Sequence, residues 1–253
     1  MIVALVTAAV AVPLLITPAH RVRAAADGAF ADLGAGPRPA FAPKRPKLLR
    51  HAAAGHWWAT VIHHVTAIRT PGGGAPLATL TTVTPEGTSN LVLILGSVLR
   101  QDREWVHVRL PVLPNNTTGW VPRSALGGYH FVATHLVIDV RRLRAVLLRD
   151  GRPVFTAPVG VGQPQWPTPR GEFYVRDKLT NYASPFYGPV AFGTSARSAV
   201  LTDWPNGGFV GIHGTDAPDL IPGRVSHGCI RMRNHDILRL AQLMPVGTPL
   251  TVE

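Results

Sequence analysis

The chain has 253 residues, of which 46% are apolar and 15% charged, against a usual charged share of ~25%. Its 25 glycines and 24 prolines are scattered and no heptad persists, which excludes a peptide hormone, a collagen and a coiled coil and leaves one large domain or two modest ones. Lys and Arg outnumber Asp and Glu by 25 to 14, and this formal charge of +11 favours polyanionic surroundings such as nucleic acid, anionic lipid or an acidic cell wall. A single cysteine excludes an internal disulfide framework and a cysteine-rich zinc site.

Met1 to Pro18 is almost wholly apolar, and His20, Arg21, Arg23 and the small run Ala24-Ala25-Ala26 follow. Residues 1–26 therefore read as an export signal or a membrane anchor. Residues 27–55 read as a solvated linker, because Pro37, Pro39, Pro43 and Pro46 alternate with Arg38, Lys44, Arg45, Lys47 and Arg50 and cannot bury a core. Short strands follow at Trp58 to Ile68, Leu91 to Leu99, Glu104 to Arg109 and Trp120 to Pro122, separated by turns at Pro71 to Gly74 and Pro85 to Gly87. His63 and His64 fall within the first of these runs, where neighbours point to opposite faces and cannot share a metal.

A second β-rich stretch starts near Tyr129. His135 to Val140 alternates, Arg144 to Leu148 and Val154 to Val161 flank the turn Arg149-Asp150-Gly151-Arg152, and Glu172 to Val175 is a further strand. His235 to Leu243 is helical, with Ile237, Leu238, Leu240 and Ala241 at helical spacing and Pro245 closing it. The expected fold is mainly β, with one or two short helices.

The chemistry concentrates in Gly211-Ile212-His213-Gly214-Thr215 and Ser226-His227-Gly228-Cys229-Ile230-Arg231-Met232. A thiol becomes a strong nucleophile once an imidazole takes its proton, and backbone N–H groups around a glycine turn can hold a developing oxyanion. Cys229 is thus the candidate nucleophile, with His227 the nearer base in sequence and His213 the more distant one. If residues 226–231 are extended, His227 and Cys229 share a side; a tight turn at Gly228 changes their relation. Two other readings use the same residues: a buried, inert cysteine, or a metal site built from His213, His227, Cys229 and His235. The Gly-rich loop around the thiol favours the nucleophile.

These segments resemble the L,D-transpeptidase catalytic (YkuD-type) domain. The resemblance rests on Ile212-His213-Gly214-Thr215 with Ser226-His227-Gly228-Cys229, on Val159 to Gly162 with Thr168-Pro169-Arg170-Gly171-Glu172-Phe173, and on the hairpin around Arg149-Asp150-Gly151. Trp105 to Val108 and Gly119-Trp120-Val121 to Leu126 similarly resemble the closing hairpin of a bacterial SH3-like domain. The resemblances imply a small SH3-like β-barrel over residues 56–128, followed by a β-sandwich catalytic domain over residues 129–253. They imply a cysteine acyl-enzyme on peptidoglycan stem peptides and 3→3 cross-links as product. They assign Cys229 as nucleophile, His213 as general base, and His227, Gly228, Ser226 and Gly214 to supporting or oxyanion roles. Arg231 stands where many members carry Asn and is free to pair with a substrate carboxylate.

No metal or organic cofactor is implied. Carbapenem-type β-lactams are the implied inhibitors, an exported, wall-associated location the implied setting, and labelling that rises from pH 5 to 8 the implied behaviour of a histidine base. A cell-wall cysteine hydrolase such as an L,D-carboxypeptidase, and a wall-binding protein with an idle cysteine, are the alternatives. Nucleic acid is disfavoured, because much of the positive excess lies in the linker and no helix carries a basic stripe. Tyr182, Tyr187, Trp204 and Phe209 are read as packing rather than substrate contacts.

Overall fold

A computed structural model describes residues 55–180, 184–202 and 208–253. The expected signal, most of the linker, Tyr182 and Trp204 lie outside the described residues. Among those described, no helix is long and apolar enough to cross a membrane.

The first sheet holds β1 (His56–Val61), β2 (Val65–Thr70), β3 (Gly73–Leu80), β4 (Leu91–Arg100), β5 (Arg103–Arg109), β6 (Thr118–Pro122) and β7 (Leu126–Val132), in the order β3-β2-β6-β5-β4-β1-β7. The run from Trp58 to Ile68 is two strands rather than one. It breaks at residues 62–64, so His63 and His64 sit exposed in a corner and not within a strand.

The second sheet comprises β8 (Thr134–Asp139), β9 (Arg144–Arg149), β10 (Arg152–Pro158), β11 (Gly160–Gly162), β12 (Gly171–Leu179), β13 (Ala191–Arg197), β14 (Phe209–His213), β15 (Gly223–Ser226), β16 (Ile230–Arg231) and β17 (Pro249–Val252). Their order is β10-β9-β8-β17-β12-β13-β14-β16-β11-β15. The predicted hairpin across Asp150-Gly151 pairs β9 with β10, both turn residues having positive φ. The sheet boundary falls between Val132 and Thr134. The helix α1 (Asn234–Leu243) buries Ile237, Leu240 and Ala241, its i, i+3 and i+4 stripe. These pack with Leu136, Leu147, Phe173 and Leu250 in the main core. The fold is mainly β, as expected, with one α-helix among the described residues.

β4 explains how the two sheets join. Its even residues Val92 and Ile94 enter the first sheet's own core. Its odd residues Leu91 and Leu93 turn the other way and pack on Tyr174, Trp58 and Val246. Both faces are thereby buried, which is why Leu91 to Leu95 reads as an unbroken apolar run. Tyr174 Oη donates to the Leu91 carbonyl at 3.1 Å. The turn Asn115-Asn116 adds polar contacts: Asn115 Nδ2 donates to Arg197 O at 2.7 Å, Arg197 N–H donates back to Asn115 Oδ1 at 3.0 Å, and Glu172 N–H donates to Asn116 Oδ1 at 2.7 Å.

Candidate active site

β14 and β16 run parallel, with Ile212 opposite Ile230 and His213 opposite Arg231. Ile212 and Ile230 are wholly buried in the core. Alternation therefore puts Gly211, His213, Cys229 and Arg231 on the opposite face. Cys229 stands just before β16, and the Gly211 N–H donates to its sulfur at 3.4 Å. A Cβ built on Gly211 would lie 3.9 Å from His213 Cδ2 and 4.0 Å from Cys229 Sγ. A side chain at position 211 would therefore start in van der Waals contact with both imidazole and thiol.

His213 is almost completely buried, 2% exposed. Its Nδ1 lies 2.6 Å from the Gly214 carbonyl oxygen. A carbonyl can only accept, so Nδ1 carries the proton and Nε2 is left as the acceptor. The edge of Tyr187 packs against the ring at 4.8 Å. Burial lowers the His213 pKa to about 4; the Gly214 contact opposes this and the Arg231 charge adds to it. Cys229 is half-buried, and desolvation pushes its thiol up, while the Gly211 N–H and the Arg231 guanidinium pull it part of the way back. Both shifts disfavour the charged forms of the pair.

The turn preceding the cysteine is pinned from two sides. Ser226, fully buried, donates from Oγ to the Cys229 carbonyl at 2.5 Å and accepts the Gly228 N–H at 3.1 Å. Thr168 Oγ1 donates to the Gly228 carbonyl at 2.9 Å and accepts the Gly162 N–H at 2.8 Å. Gly228 has φ +115°, a conformation that side chains rarely adopt. The turn separates the neighbours in sequence: His227 is exposed and lies against Trp166, ring centroids 4.1 Å apart. Gly214 accepts from His213 and has no room for a side chain, since a Cβ there would meet Asn234 Oδ1 at 2.3 Å. That same Oδ1 accepts the Thr215 N–H at 2.9 Å.

The structure thus brings Cys229, His213 and Arg231 to one face, while Ser226, Gly228 and Gly214 act through backbone contacts. Sequence reasoning did not assign roles to Gly211, Thr168, Phe186, Trp166 or Asn234. The Thr168-Pro169 segment belongs to the family resemblance, yet only the fold brings Thr168 to Gly228, sixty positions away in sequence. Phe209 packs between the guanidinium groups of Arg176 and Arg197, at 4.0 and 4.8 Å, and Tyr187 packs on His213. His235 lies at the start of α1, 3.2 Å from Asp236. Among the described residues, no three His, Cys, Asp or Glu side chains are grouped so as to hold a metal ion.

Residues 133–252 match the family model described as the L,D-transpeptidase catalytic domain, YkuD. The putative L,D-transpeptidase YkuD of Bacillus subtilis (strain 168) is 34% identical over 118 residues, 47% of this chain and 65% of that protein. Its Bacillus licheniformis namesake is 39% identical over 115 residues, 46% of this chain and 61% of that protein. The chain therefore spans a little under two thirds of the length of each of these relatives. The solved catalytic domain of the E. faecium L,D-transpeptidase is 26% identical with a TM-score of 0.37, covering 49% of this chain and 99% of that one. Over residues 133–252, then, the chain is similar to the L,D-transpeptidase catalytic domain, YkuD, and to two proteins named as putative L,D-transpeptidases.

Proposed function

We propose that the chain is a peptidoglycan L,D-transpeptidase working on the cell wall, outside the cytoplasmic membrane. Cys229 Sγ gives its proton to His213 Nε2 and attacks the amide carbonyl between the third residue of a tetrapeptide stem and its terminal D-alanine. The Sγ–C bond forms and the carbonyl electrons move to oxygen. The Cys229 N–H is assigned to that oxygen, because the Gly228 N–H is already held by Ser226 Oγ. Collapse breaks the C–N bond, the imidazolium protonates the departing amine of D-alanine, and a thioester remains. The side-chain amine of a second stem then attacks the thioester carbonyl. His213 takes the amine's proton and returns it to sulfur, giving a direct 3→3 link and the free thiol.

One observation carries this reading. A buried imidazole, fixed by its Nδ1–H on the Gly214 carbonyl, shares the face and the immediate surroundings of Gly211 with the one thiol of the chain. Residues 56–132, four beyond the bound expected from sequence because β7 completes the first sheet, are assigned as an SH3-like module that orients the catalytic sheet, a role supported by the Tyr174–Leu91 and Asn115–Arg197 contacts. Residues 1–26 are assigned as the export segment and residues 27–55 as a tether.

The test is mass spectrometry of muropeptides after incubating purified protein with disaccharide-tetrapeptide. A 3→3 dimer lacking one D-alanine is the expected product. Free tripeptide with D-alanine and no dimer identifies an L,D-carboxypeptidase instead, and neither product excludes both. Thr168→Val keeps the shape of that side chain and removes its two bonds, leaving the buried Gly162 N–H and Gly228 carbonyl unpaired. A destabilisation of about 2 kcal/mol is expected in urea unfolding. Cys229 acylation is expected to slow by roughly tenfold to a hundredfold, as the turn carrying the thiol drifts from its place.

A further inference from the structure

Arg231 is buried, 9% exposed, beside His213 on the face that carries Cys229. Its Nε has no hydrogen-bond partner, and among the described residues no carboxylate forms an ion pair with it. Its guanidinium lies over the ring of Phe186, 4.5 Å away, and its charge reaches His213 and Cys229. A cation held against an aromatic ring keeps N–H donors with which to meet a planar, two-pronged acceptor. A guanidinium withdrawn from water without a counter-charge is costly, and the cost is removed by a ligand that brings the charge.

We propose that Arg231 binds the free C-terminal carboxylate of the donor peptide, so that the site selects chains ending one residue beyond the bond to be broken. The proposal deepens the acyl-transfer reading above and rests on it. In such a donor the terminal carboxylate lies one residue from the scissile carbonyl, about 3.5 Å of chain. Arg231 follows the attacking cysteine by two positions and shares its face, about 7 Å away along an extended backbone. The long arginine side chain spans the difference. A carboxylate there also offsets the positive charge that stands against protonation of His213, so the donor itself eases the proton transfer from the thiol. The loss of that carboxylate therefore falls on kcat as well as on KM.

The experiment compares tetrapeptide donors ending in a free carboxylate and in a carboxamide, with wild-type protein, Arg231→Gln and Arg231→Lys. For wild type, amidation is expected to lower kcat/KM by roughly thirtyfold, the scale of a lost charge-assisted bond pair. In Arg231→Gln the acid donor falls to the level of the amide, and the ratio between the two shrinks to within about threefold. Should Arg231→Gln fail to fold, Arg231→Lys carries the test: it retains the charge but not the fork, and its acid-to-amide ratio is expected to fall severalfold. Equal turnover of both donors by wild type, or an undiminished ratio in the folded variant, overturns this inference alone. No turnover of either donor by wild type overturns the acyl-transfer reading and this inference with it.

Discussion

Cys229→Ala is expected to abolish turnover and covalent capture and, under the proposed function, to leave the protein folded and able to bind wall material. The sulfur is half-buried and accepts one long bond, from the Gly211 N–H at 3.4 Å, so its removal costs the fold about 1 kcal/mol or less. The chemistry has no substitute: no other thiol exists in the chain, and a methyl group cannot attack a carbonyl. A loss of at least ~10³-fold in turnover is expected. Intact-mass measurement after exposure to a carbapenem is expected to find one adduct on the wild-type chain and none on the variant. Turnover at the wild-type rate in Cys229→Ala would remove the nucleophile assignment altogether.

His213→Gln is expected to lower turnover by ~10²- to 10⁴-fold, the range for loss of a positioned general base. The pH profile separates this role from a structural one. An imidazole must be neutral to accept the thiol proton, and burial holds His213 down at about 4. It is therefore competent throughout pH 5 to 8, and wild-type kcat/KM is expected to be flat there, dropping as pH falls through about 4. The sequence alone implied a rise between pH 5 and 8, because an exposed histidine titrates near 6.5. A flat profile on this structure signals a neutral pair rather than a pre-formed thiolate–imidazolium pair, since both shifts oppose the charged forms. Direct alkylation by iodoacetamide, which needs the thiolate without any substrate to assist, provides the contrast. It is expected to stay slow at neutral pH and to climb only as pH approaches a thiol pKa pushed above its ordinary value. In His213→Gln the drop near pH 4 disappears from whatever activity is left.

Local pattern was enough for several of the elements. The period-two alternation of residues 135–140, the Asp150-Gly151 turn and the apolar stripe of residues 235–243 each predicted the element found, because strand, turn and helix depend on near neighbours. The corner at residues 62–64 escaped because Trp58 to Ile68 keeps a strand-like composition across it, and only pairing to different partners divides it. The site divides in the same way. The cysteine, the two histidines and the glycine turn stand out within twenty residues, but sequence distance ranks His227 above His213 as partner of the thiol. The left-handed Gly228 turn reverses that ranking: it sends His227 out against Trp166 while parallel pairing of β14 with β16 brings His213 to the cysteine's face. The pKa of that imidazole, the pinning of the turn by Thr168 and the uncompensated charge of Arg231 all depend on groups distant in the chain, so packing alone decides them. Residue identity determined which chemistry was possible; long-range strand pairing and burial decided which atoms meet and in what protonation state.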